Sequence, residues 1–242
     1  MRVPGQAFVM ILAMPVCPDH GRFITFEGLD GCGKSTQMEK LATVLRKQGH
    51  AVVATREPGG TAAGEKIRGV LLDSATAGLS PFAELALMFA SRAQHIKEVI
   101  QPALASGSVV LCDRFTDSSE AYQGGGRKLG SEPVLDLHRV LCGDLQPDLT
   151  ILMESDVTAS VERARRRNQA KVAENGSSGG DENRFEQENR AFFERVRNAY
   201  LTIAKREPKR VVVIDARGPA EQTHAKIVET VRQMLKVSTK IA

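Results

Sequence analysis

The segment Gly28-Leu29-Asp30-Gly31-Cys32-Gly33-Lys34-Ser35 has the spacing GxxxxGK[ST]. The chemistry of that pattern is phosphate binding. Its glycines let the backbone curl so that successive N–H groups point at phosphate oxygens. A helix starting at Lys34 turns its positive end toward the same oxygens. Lys34 brings a point charge to the β/γ-phosphates of a nucleotide, and the Ser35 hydroxyl is a ligand for Mg²⁺. The context is right for such a loop. Phe23 to Glu27 reads as a buried strand before it, and Lys34 to Gln48 as a helix after it, with Leu41, Val44 and Leu45 inward. This loop alone leaves the phosphate acceptor open.

Three further clusters narrow it. Arg56-Glu57-Pro58-Gly59-Gly60-Thr61 follows a second strand directly, where ligands of an open α/β sheet collect. Asp113-Arg114-Phe115 ends a third strand. Asp113 there has the position of a carboxylate that holds Mg²⁺ through water, with Arg114 facing a transferring phosphate. Ser118 to Arg127 contains three consecutive glycines, Gly124 to Gly126, which imply tight curvature or close approach to a ligand. An NKxD element, the guanine reader of GTPases, is absent from the sequence.

The elements that must hold these residues alternate. Strands are expected at 23–27, 51–55, 108–112, 149–153 and 211–214. Helices are expected at 34–48, 64–72, 82–105, 132–142, from 157, at 185–206 and at 220–235. Five apolar strands separated by helices predict a parallel sheet covered on both faces. The chain's 242 residues suffice for one large core. A formal charge of +4 is too mild to suggest a nucleic-acid binder. Four separated cysteines (Cys17, Cys32, Cys112, Cys142), none in CxxC spacing, predict reduced thiols in a cytosolic protein rather than zinc or disulfides. The apolar run Ala7 to Met14 is too short to span a bilayer. Residues 1–21 are read as a disordered extension or an over-long start, with Met10 and Met14 as alternative starts. The domain is expected over 22–236, with a tail at 237–242.

GLDGCGKST, REPGGT, the pair Asp113-Arg114 and AYQGGGR, in this order, resemble bacterial thymidylate kinase, over roughly Arg22 to Leu235. The resemblance implies a three-layer α/β P-loop kinase fold, with a five-stranded parallel sheet flanked by helices and a mobile lid. It implies ATP as phosphate donor, dTMP as acceptor, Mg²⁺, a cytoplasmic location and a homodimer, with neither nucleic acid nor membrane as partner. The ATP site would run from Gly28 through Thr36. Asp30 would lie near the acceptor, and Glu57 with Pro58 near the deoxyribose or metal. Arg92 and Arg114 would bind the acceptor phosphate. Gln123, assisted by Ser119, would pair with thymine, and Tyr122 would pack beneath the sugar and exclude a 2′-hydroxyl. Where many members stack a Phe on the base, this chain has Met88 followed by Phe89; either is a candidate. Another nucleoside monophosphate kinase, a deoxynucleoside kinase or a non-catalytic nucleotide-binding module are the alternatives.

One branch of that family carries a P-loop arginine where this chain has Gly31. Arg163-Ala164-Arg165-Arg166-Arg167 is similar to the other branch, whose catalytic arginine comes from a lid, here expected at about 163–184. Arg163 and Arg167 are four apart and share a helix face, so one or both are candidates; Arg184 is a weaker one. Gln169 to Asn183 holds almost no large apolar residue and is expected to be a mobile loop.

Overall fold

A computed structural model describes residues 21–175, 184–185 and 187–239. The expectations for residues 1–20, 176–183 and 240–242 lie outside these residues; the last helix runs to Thr239, through the start of the expected tail. Five parallel strands form one sheet in the order β2-β3-β1-β4-β5: β1 Arg22–Glu27, β2 Val52–Arg56, β3 Val109–Asp113, β4 Leu149–Glu154 and β5 Val211–Asp215. β1 is central and buried almost throughout, as a strand covered on both faces is.

The period-two alternation of the strands divides the core. Ile24, Phe26, Leu111 and Ile151 point to one face, against α1 (Lys34–Lys47) and α9 (Ala220–Thr239). Phe23, Val110 and Cys112 point to the other, against α3 (Pro81–His95) and α6 (Glu132–Cys142). Leu152 on that second face meets α8 (Arg190–Arg206) through Phe192, Val196 and Ile203. Three layers result, the fold expected from the resemblance. Among the described residues no helix is long and apolar enough to cross a membrane.

Helix ends follow their capping residues. α2 (Ala62–Leu72) begins where the Thr61 hydroxyl accepts the Gly64 N–H at 2.9 Å, and α3 where Ser80 caps Ala83 N–H ahead of Pro81. The helix expected over 82–105 is interrupted by a π turn, Ile96–Ile100, before α4 (Gln101–Ala105). Pro102 has no N–H to continue the regular ladder. The helix expected from Phe185 begins only at Arg190, where Asn189 caps it. Conversely, α7 (Val157–Asn175) continues through the first residues of the expected loop.

The largest departure lies at Thr116–Gly126. A short helix, α5 (Thr116–Ser119), runs into a π turn, Glu120–Gly126. Two of the three glycines approach α8, and Gly124 backs onto the Gly130 carbonyl. A Cβ on Gly126 would stand 2.5 Å from the Phe192 ring, and one on Gly125 2.6 Å from Ala199 Cβ.

Candidate active site

Because the strands are parallel, the carboxyl ends of β1, β2 and β3 share one edge, with Phe26 and Arg56 both in register with Asp113. The phosphate loop, the Arg56–Thr61 turn and Arg114 therefore emerge side by side. Leu29 and Cys32 are buried in the core, so the loop offers its backbone outward. Burial pushes the Cys32 thiol up, which leaves it neutral. Lys34 lies along the loop, with Nζ donating to the carbonyls of Gly28 (3.1 Å) and Leu29 (2.9 Å). The exposed Ser35 and Thr36 follow it in the first turn of α1.

The Ser35 hydroxyl donates to Asp113 Oδ2 at 2.8 Å. Asp113 Oδ1 is buried and has no partner among the described residues. A hydroxyl beside an unsatisfied carboxylate oxygen is the hard oxygen donor set that Mg²⁺ takes, so these residues fit that ion.

Two cavities open onto this edge. A cleft of about 1220 Å³ is lined by Lys34, Ser35, Thr36, Asp113 and Arg163. A second, of about 820 Å³ including space open to solvent, is lined by Pro58, Met88, Arg92, Ser119, Tyr122 and Gln123. Asp30, Glu57, Arg68, Arg114 and Arg167 line both. Phe89, offered as an alternative base contact, is wholly buried beneath Arg92, its ring 4.6 Å from the guanidinium carbon. The structure brings Met88 to the cavity and leaves Phe89 in the core, because successive helix positions face about 100° apart.

Arg114 organises the shared wall. Its φ of 75° is left-handed, a strained choice for a side chain of this size. Its backbone N–H bonds Phe26 O at 3.0 Å. One end of its guanidinium donates to Asp30 (2.9 Å) and the Tyr122 hydroxyl (3.1 Å). The other reaches Ser118 (2.8 Å) and the Tyr200 hydroxyl (3.1 Å). Burial works to raise the Asp30 carboxyl, yet Arg114 and Lys34 hold it well below the usual carboxylate range. Asp30 is therefore an anion that positions Arg114, and not a proton donor. Burial pushes the Tyr122 phenol up and keeps it neutral.

Arg92 sits deeper. Its Nε donates to Glu57 at 2.7 Å, and one Nη to Phe115 O and the Ser119 hydroxyl, both at 3.0 Å. Its other Nη is buried without a partner among the described residues. Glu57 spends its second oxygen on His95 Nδ1, 2.9 Å away. Glu57 thus anchors Arg92 within the wall.

The lid arginines separate clearly. Arg163 Nε donates to Gly31 O at 2.8 Å, fixing α7 to the phosphate loop. A Cβ on Gly31 would fall 2.2 Å from Ser160 O and 2.9 Å from Ala164 N, so this helix rests against bare backbone. Arg167, one turn on, is exposed and lines both cavities. Arg184 is buried, bonded to Leu71 O and paired with Glu84. Sequence reasoning missed Arg68, Glu84, Phe185 and Tyr200. For Arg68 a signal existed: it is a basic residue on the helix that follows REPGGT.

Comparison with known proteins agrees with this geometry. The family model described as thymidylate kinase matches residues 26–227. A thymidylate kinase of Desulfosudis oleivorans is 47% identical over 212 residues, covering 88% of this chain and 97% of its own. One from Pseudomonas syringae pv. tomato is 47% identical over 217 residues, covering 90% and 98%. The crystal structure of thymidylate kinase from Ehrlichia chaffeensis superposes with a TM-score of 0.67 at 31% identity, covering 88% of this chain and 99% of that one. With a glycine-rich loop and two cavities sharing an arginine wall, this breadth of likeness places the chain in the thymidylate kinase family.

Proposed function

We propose that the chain transfers the γ-phosphoryl group of ATP to dTMP, giving ADP and dTDP. The observation that carries this reading is the wall shared by the two cavities. A donor held on the phosphate loop and an acceptor held in the smaller cavity meet at Asp30, Arg114 and Arg167.

Phosphoryl transfer asks the protein chiefly for alignment and charge neutralisation. Arg114, held by four partners, receives the acceptor phosphate. Arg167, with Arg163 behind it, brings positive charge to the transferring group when α7 lies on the loop. Lys34 leaves its two carbonyls for the donor phosphates. Ser35 and Asp113 would hold Mg²⁺, which would supply neutralisation of phosphate charge. In the acceptor cavity Arg92 offers a buried donor and Gln123 a buried acceptor, an arrangement that supports reading a base edge. This moves Arg92 from the acceptor phosphate, its expected ligand, to the base end. Tyr122, edge-on to Phe185, Phe192 and Tyr200, is rigid enough to exclude a 2′-hydroxyl.

A cytoplasmic homodimer completes the reading. Val70, Phe82, Val140 and Leu141 are apolar and exposed on α2, α3 and α6, which supports a partner surface.

The test is a coupled assay with ATP and Mg²⁺ across dTMP, dUMP, dCMP, dGMP and thymidine. The expected outcome is a kcat/KM for dTMP at least about a hundredfold above that for dCMP and thymidine. Preference for thymidine over dTMP would overturn the reading.

A further inference from the structure

The wall of the acceptor cavity rests on a carboxylate that the sequence did not single out. Glu84, in the first turn of α3, is fully buried. Two guanidinium groups hold it: Arg127 lies 3.1 Å from Oε2, and Arg184 pairs with the same oxygen. Its Oε1 accepts the side-chain N–H of Gln123 at 2.7 Å. Gln123 lines the cavity, and its own Oε1 is buried with no partner among the described residues.

These facts fix the direction of an amide. A carboxylate paired with two guanidinium groups only accepts hydrogen bonds. Turned around, Gln123 would set its carbonyl oxygen against that carboxylate and strand its NH₂ group, a costly loss in a buried place. One orientation survives, with NH₂ toward Glu84 and the oxygen turned from it, without a partner among the described residues.

We infer that Glu84 is a specificity-positioning residue. It locks the Gln123 amide so that the cavity presents an acceptor, which selects a pyrimidine whose ring nitrogen carries a proton. Thymine and uracil have that N–H; cytosine has a lone pair there and meets oxygen with nitrogen. The inference rests on the base placement proposed above and adds what enforces it. Arg127 and Arg184 act on the choice through Glu84, which their ion pairs hold in place.

The experiment compares kcat/KM for dTMP and dCMP in the parent, Glu84→Gln and Glu84→Asp. In Glu84→Gln the partner both donates and accepts, so Gln123 is free to turn, and the dTMP/dCMP ratio falls roughly ten- to a hundredfold. Glu84→Asp keeps an acceptor-only partner and keeps the ratio. A Glu84→Gln enzyme that slows on both substrates with an unchanged ratio overturns the inference. Should that variant fail to fold, hydrogen exchange of the Gln123 NH₂ protons in the parent decides. Protection before any ligand is added supports the lock; protection that arises only with dTMP overturns it. The base placement is tested separately with N3-methylated dTMP and the parent enzyme. Turnover at the dTMP rate overturns that placement, whereas at least a tenfold loss supports it.

Discussion

Arg163 and Arg167 share one helix face, yet the structure gives them different work. Arg163 is tied to the Gly31 carbonyl, and Arg167 lines the wall shared by the two cavities. Arg167→Ala is therefore expected to lower kcat roughly 10²- to 10³-fold with little change in KM for dTMP. Arg163→Ala should cost about tenfold, through looser seating of α7 once its bonds to Gly31 O and Ser160 Oγ are lost. Steady-state kinetics of the two variants checks the order; equal losses would remove the distinction. Ser35 and Asp113 make a second expectation. Asp113→Asn keeps the shape but replaces the charged oxygen, so the Mg²⁺ concentration for half-maximal rate should rise about tenfold or more. A magnesium titration measures it.

At the scale of elements, two bare backbones set distances. Gly126 lies under the Phe192 ring and Gly31 under α7. Gly126→Ala overpacks the contact between the π turn and α8 and should cost about 1–3 kcal/mol, seen as a lower urea midpoint. Its second effect falls on Tyr122 and Gln123, which ride on the same turn, so KM for dTMP should rise. Gly31→Ala behaves differently. Its φ of 78° disfavours any side chain, and the new methyl meets main-chain atoms of α7, which cannot rotate aside. The variant should bind ATP near normally and lose kcat, because Arg163 and Arg167 move away together. Nucleotide titration against turnover separates these two quantities.

Across the whole molecule, charges from distant segments meet in a buried network below the site. Glu27 ends β1 and accepts hydrogen bonds from the Phe115 N–H, the Ser118 hydroxyl and the Tyr200 hydroxyl. Burial and nearby Asp117 push its carboxyl up to about 7, against the pull of Arg114. Between the ordinary value of 4.5 and about 7 the folded chain keeps a proton that the unfolded chain has lost. Stability therefore falls as pH rises through that window. Urea unfolding at pH 5 and pH 8 should show the parent losing ~2–3 kcal/mol more than Glu27→Gln, which cannot ionise there. Equal losses would remove Glu27 as the cause. The same network explains what was legible in the sequence. The phosphate loop, Asp113-Arg114 and the five strands were readable because each is local: a spacing, a period, a strand end. Glu27, Glu84 and Tyr200 were not, because their meaning comes from partners up to 173 positions away. Phe89 was ambiguous for a related reason, since helix rotation is set by packing against the sheet. The contact of Gly31 with α7 has a steric consequence for this chain. A side chain on the loop and the helix seated on it would occupy the same space, so a loop arginine at position 31 and a docked α7 are expected to exclude one another.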